Sequence, residues 1–304
     1  MSGQLPIFLL RCFEPPRLNP KFTMRKIFLL AAVVTAIPIA SFAQNTFPFQ
    51  RTVTRTDRFE LRPGGTVVIT GAPHGSIEVI GTSVNEIEIT AKIELQAASE
   101  SDLDALAAST GFVTDESGIR TAIMTVGNHN KFGLKKLPKT FTKSLMTAPF
   151  SVSYVVKVPR YIDIDIEGGK GDLTIKGIEG SIRANFLESN ARVEIVGGTA
   201  VVALEKGVAD ISFGAKGWRG RSADIQVGQG DMTVRLPTTL SADIDATVVR
   251  SGGIENEFPD LKPRDRKAVF TERSIIAKAG VGGAAMRLSV GDGKLRMEPL
   301  RNPL

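Results

Sequence analysis

The chain is poor in the residues that most often carry chemistry. Its 304 residues include one cysteine, Cys12, two histidines, His74 and His129, one tryptophan, Trp218, and two tyrosines, Tyr154 and Tyr161. A lone cysteine excludes a disulfide framework and any paired-cysteine zinc site. Two histidines far apart in sequence, with no His-x-x-x-His pair and no Gly-x-Ser-x-Gly elbow, offer neither a serine triad nor a multi-histidine metal site. We therefore expect no catalytic, cofactor-binding or metal-ligating residue, and read both histidines as turn or loop residues.

Long hydrophobic runs are also scarce. The clearest is residues 27–40, about 14 residues where a membrane span needs about 20. It follows Met24-Arg25-Lys26 and leads into Ser41-Phe42-Ala43 before Gln44. A charged start, an apolar middle and a small-residue end make residues 24–43 a secretory signal peptide, with an uncleaved anchor as the alternative. Residues 1–23, with Pro15-Pro16 and Pro20, read as an extension ahead of a true start at Met24.

Removing that leader changes the charge. Of 38 basic residues five precede position 44, leaving 33, and of 32 acidic residues one does, leaving 31. The net charge falls from +6 to +2. So small an excess gives no basic footprint for nucleic acid. Cys12 leaves with the leader, so no cysteine remains for a disulfide or a lipid anchor.

What the chain does have is glycine, 30 residues of it, and short apolar alternation. After a polar lead-in at 44–58, Phe59 and Thr66-Val67-Val68-Ile69 begin it. Ile77, Val79, Ile87, Ile89, Ile93 and Leu95 continue with charged neighbours between, as half-buried strands require. The period changes once. Ser99 and Ser101 precede Asp102 and Asp104 by three, while Leu103, Leu106 and Ala107 share a face, which predicts one short capped helix near 100–109. Residues 127–150 form a basic loop in which Lys131, Lys135, Lys136, Lys139 and Lys143 alternate with Phe132, Leu134, Leu137, Phe141 and Leu145. Such a loop is either a solvated insertion or a contact for anionic lipid or polysaccharide.

From 154 to 237 one instruction repeats: alternating aliphatics, polar residues between, then glycine. Ile162-Ile164-Ile166, Leu173-Ile175, Val193-Ile195, Ile211-Phe213, Ile225-Val227 and Met232-Val234-Leu236 are the members. A strand, proline, acidic strand and Gly-Gly unit occurs twice, at 157–169 and 235–253. Even spacing predicts an all-β solenoid, sandwich or barrel, most simply a β-solenoid or β-roll in which stacking supplies the core. We expect a single elongated domain over 59–298, with a tail at 299–304.

These residues resemble the DUF4097-type family of bacterial adhesin-like proteins. The resemblance rests on Val156-Lys157-Val158-Pro159, Gly171-Asp172-Leu173-Thr174-Ile175, Ser181-Ile182, Ala191-Arg192-Val193-Glu194-Ile195, the run from Gly230-Asp231-Met232 to Leu236-Pro237, Ser251-Gly252-Gly253 and Gly282-Gly283. The chain departs from the family at the longer basic segment and at Glu188-Ser189-Asn190, where Ser-Gly-Asp is usual. The resemblance implies an extracytoplasmic β-repeat protein and names no reaction.

Two motif fragments are ordinary β sequence on inspection. Asp163 to Gly168 begins like a calcium loop but has Thr174 where a glutamate is required, and Gly280 to Ala285 lacks the helix that a dinucleotide fingerprint needs. The sequence thus points to a non-catalytic exported envelope protein, adhesin-like or scaffold, whose partner is a surface polymer or protein. The competing class is a carbohydrate-active enzyme using outward carboxylates such as Asp163, Asp165, Asp172, Asp243 and Asp245, which must flank a bond in pairs. Scarce Trp and Tyr rings count against it.

Overall fold

The computed structural model describes residues 47–60, 64–135, 143–214, 217–259, 261–266 and 269–301. The leader at 24–43 and the extension at 1–23 lie outside the described residues. Residues Asn45–Leu304 form one compact unit. In chain order it contains β1 (Phe49–Glu60), β2 (Thr66–Thr70), β3 (Ile77–Thr82), β4 (Glu86–Ala97), α1 (Glu100–Ser109), β5 (Gly111–Ser117) and β6 (Arg120–Val126). Then come α2 (Lys131–Leu134), α3 (Lys143–Thr147), β7 (Phe150–Pro159), β8 (Asp163–Lys170), β9 (Leu173–Lys176), β10 (Ile182–Ile195) and β11 (Thr199–Phe213). The last elements are β12 (Ser222–Gln229), β13 (Met232–Leu236), β14 (Ala242–Asn256), β15 (Lys262–Pro263), β16 (Ser274–Ala279) and β17 (Ala284–Pro299).

The central strands pair in parallel as rungs with two halves. β10 runs beside β8 in its first half and β9 in its second, and β11 follows β10 along almost its full length. Ile164, Ile182 and Ala200 stack at a constant step of 18 residues. β12 and β13 continue the series on the two halves of β11. Every second side chain is buried on both halves, so Ile182, Ala184 and Phe186 join Ala191, Val193 and Ile195 in one core. β-branched residues fill these positions because they suit a pleated, half-buried surface. Each fully buried Ile or Val contributes about 1.5–3 kcal/mol.

Rung order departs from chain order at both ends of the stack. β2 and β3 lie between β6/β7 and β8/β9, and β17 lies between β12/β13 and β14. Outside these the pairing turns antiparallel: β4 on β7, β1 on β4, β5 on β6 and β16 on β14. The inner rungs need no caps because each covers its neighbour, whereas the end rungs expose a ladder edge that a hairpin partner can cover.

Three expectations need correction. The lead-in at 44–58 is largely strand: β1 runs from Phe49 and pairs in unbroken register with β4. Its inward positions carry Arg51, Val53 and Arg55, and α1 covers them: Arg51 pairs with Glu100 and Asp104, and Arg55 donates to the Ala107 carbonyl. The helix near 100–109 is there, capped by the Ser99 hydroxyl accepting from the Asp102 amide, but it is not alone. The basic loop at 127–150 contains α2 and α3, because Asn130 caps α2 and the buried Asn128 side chain donates to the carbonyls of Leu145 and Ala148 at 2.8 and 2.9 Å. Finally, several strands are long, 14 to 16 residues in β10, β11, β14 and β17, because both halves of a rung are one continuous strand.

Where the halves meet, one column runs through the stack: Gly75, Gly171, Ser189, Gly207, Gly230, Gly293 and Gly252 sit one above another. A Cβ on Gly207 would lie 1.9 Å from the Ser189 carbonyl oxygen, and Gly207 has φ of 130°. Ser189 is the exception, and its cost is visible: the residue is 4% exposed and its hydroxyl finds no hydrogen-bond partner. Ser189→Ala should therefore raise stability, by about 1 kcal/mol. Urea unfolding of the two proteins checks the sign.

His129 leans on Phe150, ring centroids 5.3 Å apart, and burial holds its pKa below the ordinary 6.5. In the unfolded chain the ring titrates at its ordinary value, so protons favour unfolding. The stability owed to the neutral ring is complete above pH 6.5 and is lost as pH falls through the lower folded value. Unfolding free energy measured from pH 7.5 down to 5.5 should decline in the wild type and decline less in His129→Gln.

Candidate interaction groove

The outer face of the second halves is laced by ion pairs between rungs. Lys176 meets Glu78 at 2.7 Å, Glu88 meets Lys157 and Arg58, Arg235 bridges Asp210 and Glu298, and Glu255 holds Arg296 and Lys294. Glu88 and Glu255 consequently titrate below the usual carboxylate range, through hydrogen bonds from Lys157 and from Arg296 with Lys294. This face is satisfied by itself.

The enzyme-type carboxylates are not brought together as a pair between repeats. Ile164 and Ile244 are in one column, linked through Ile182, Ala200, Ala223 and Met286. Five strand spacings separate them and their neighbours Asp163 and Asp243 by about 24 Å. A glycosidase pair stands about 5–9.5 Å apart. Asp163 accepts from the Ser181 amide and Asp172 from the Asn190 side chain, which are rung-to-rung contacts. Tyr154 is buried against Thr125 at 2.7 Å, and burial pushes its pKa up to about 12.

Among the lysines expected to meet an anionic surface, Lys131 and Lys135 are exposed on and beside α2. Lys131 lies 5.6 Å from the centre of the Phe132 ring. Lys143 begins α3, while Lys136 and Lys139 lie outside the described residues.

A site that sequence reasoning missed lies where the rungs bend. Three hollows of about 560, 520 and 540 Å³ share lining residues; each crosses several rungs, and successive ones are offset along the strands, from Glu167 and Phe186 in the first to Asp172 and Asn190 in the last. In the widest, Gly228 and Gly291 form the floor, and Leu187 and Val249, 57% and 60% exposed, stand on either side. The floor is flat because neither glycine has room for a side chain: a Cβ on Gly291 would lie 2.2 Å from the Gly228 carbonyl.

One wall adjoins a bulge. Ala246 and Val248 are buried, so alternation turns Val249 outward at the groove. Val248 pairs with Val290 and Ser251 with Asp292, so Val249 and Arg250 oppose Gly291 alone, and the extra residue leaves Arg250 on the outside too. Asp292 fixes Arg250 at 2.8 Å, and the Arg250 guanidinium also donates to the Gly228 carbonyl. Farther along, Lys170 pairs with Glu188 at 3.1 Å, and its hydrogen bond, with the positive charges of Lys170 and Lys206, holds the Glu188 carboxyl below its usual range. The groove thus combines exposed aliphatic walls with alternating charge, and runs across strands rather than along one.

Among the described residues no group of three or more His, Cys, Asp or Glu is placed to hold a metal ion, and no helix is long and apolar enough to cross a membrane. No family model and no curated protein matches the chain. Two solved structures align with it over 82% of its length: a proposed cell-adhesion protein from Clostridium sporogenes, 12% identical, with 100% of that chain covered and a TM-score of 0.43, and a proposed adhesin from Bacteroides fragilis, also 12% identical, with 97% covered and a TM-score of 0.33.

Proposed function

We propose that this is a non-catalytic exported envelope protein, a β-solenoid-like stack of rungs that holds an extended surface polymer or polypeptide in the groove at its bend. The leader at 24–43 supports export. The observation that carries the binding role is a hollow that crosses successive rungs between Leu187 and Val249 and is continued by two adjoining hollows. An elongated ligand can meet several rungs there at once, and two outward aliphatic side chains flanking a flat floor gain most from being covered.

The expected result is that immobilised envelope polysaccharide and peptidoglycan fractions retain the protein, and that Leu187→Asp with Val249→Asp lowers retention at least tenfold while the thermal midpoint stays within a few degrees. Equal retention by the double variant would remove the groove from the proposal. Sustained turnover of a polysaccharide, abolished by Asp163→Asn or Asp243→Asn, would replace it with the enzyme reading.

The basic segment supports a second, weaker contact. Exposed Lys131 and Lys135 suit anionic lipid head groups or an acidic polysaccharide. Such a contact would weaken with salt.

A further inference from the structure

We propose that the free edge of β1 is a homodimer interface, in which β1 of one copy pairs antiparallel with β1 of a second. β1 is the last strand of its layer: among the described residues it pairs with β4 alone, over all 12 of its residues. A flat, unbroken edge of that length is a template for another strand. Two usual guards are missing, and the charges that remain are mostly engaged within the chain, Arg58 by Glu88. The strand has no proline and no bulge, and two of its three arginines are drawn onto α1, Arg51 by Asp104 and Glu100 and Arg55 by the Ala107 carbonyl. Thr52, Thr54 and Thr56, all exposed, occupy the other face.

Symmetry narrows the pairing. A two-fold axis perpendicular to the sheet must pass midway between one residue and its own copy, because opposite residues point to the same side. Two registers keep all but one residue of β1 paired. An axis through Arg55 sets that arginine against its own copy, and like charges directly opposite are unfavourable. An axis through Thr54 instead sets Arg51 opposite Asp57, Phe49 opposite Phe59 and Thr52 opposite Thr56, each twice, with Thr54 facing itself. Opposite charges, aromatic pairs and threonine pairs are the favourable cross-strand combinations. The Arg55 side chains then lie diagonal to one another and stay directed at α1. This self-complementarity is the argument for a second copy of this chain rather than an unrelated strand.

The test uses the full chain with Cys12→Ser, so that an added cysteine is the only one. Wild type should sediment as a dimer at micromolar concentration, and Thr54→Lys, which sets two ammonium groups on the axis, should raise the dimer dissociation constant at least tenfold. Thr54→Cys should cross-link to itself on mild oxidation. Thr52→Cys should do so at least ten times more slowly, since the two copies of residue 52 would be about 14 Å apart, yet a mixture of Thr52→Cys and Thr56→Cys should give the mixed dimer readily. A monomer at all concentrations up to about 100 μM, a dimer that ignores Thr54→Lys, or Thr52→Cys linking as fast as Thr54→Cys would each overturn the proposal.

Discussion

Gly230→Ala should cost about 3–5 kcal/mol of stability, with a thermal midpoint lower by roughly 10 °C. Gly230 has φ of 131°, and a Cβ there would lie 1.8 Å from the Gly207 carbonyl oxygen. Two penalties combine: a backbone conformation that L side chains rarely adopt, and an overlap with main chain that no rotamer change relieves. Main chain above and below is itself packed, since Gly207 rests on Ser189 and Gly293 rests on Gly230 at the same kind of distance. Relaxing one rung therefore presses on the next. The contrast with Ser189→Ala is diagnostic. One changes a column member that already has a Cβ and should be stabilising; the other inserts a Cβ where the stack has closed. If both variants unfold at the same urea concentration as the wild type, the column is not a packing constraint.

Phe213→Ala should be similarly severe, about 3–5 kcal/mol. Phe213 ends β11, is 1% exposed, and meets Trp218 edge to face with centroids 5.2 Å apart at 70°. Truncation removes a large buried side chain and leaves a cavity that rungs paired on both sides cannot collapse to fill. It also removes an aromatic pair worth about 0.5–1.5 kcal/mol beyond its area. Trp218 is the sole tryptophan, so its emission reports the event directly. The variant should show a red-shifted native spectrum and an unfolding midpoint at lower urea, and a loss below about 1 kcal/mol would mean that the ring pair is peripheral to the core.

The strand content and the inward faces were legible because alternation has a period of two wherever one face is buried. Ile164, Ile211 and Val234 all point inward as their neighbours' charges require. α1 was legible for a similar reason, through Ser99 and the spacing of Leu103 and Leu106. β1 was not, because its inner face is covered by arginine stems tied to a helix some fifty residues away, and polar alternation resembles a lead-in. The asparagines that order α2 and α3 gave no signal either: Asn128 donates to backbone carbonyls and Asn130 accepts from the Gly133 amide, groups that the main chain offers almost everywhere. The groove was invisible for a deeper reason. Its walls, Leu187 and Val249, are outward residues of two strands brought to either side of one floor, and that floor joins Gly228 to Gly291 across 63 positions of chain.

By itself the sequence determined the predominantly β character, the one-sided burial of the repeats and the capped helix, because these depend on local period and composition. Tertiary structure alone decided the order of the rungs, the tucking of β2, β3 and β17 inside the stack, the glycine column and the hollow at the bend. Each of those is a pairing between residues remote in the chain, selected by which edges were left open and where a carbonyl leaves no space for a side chain.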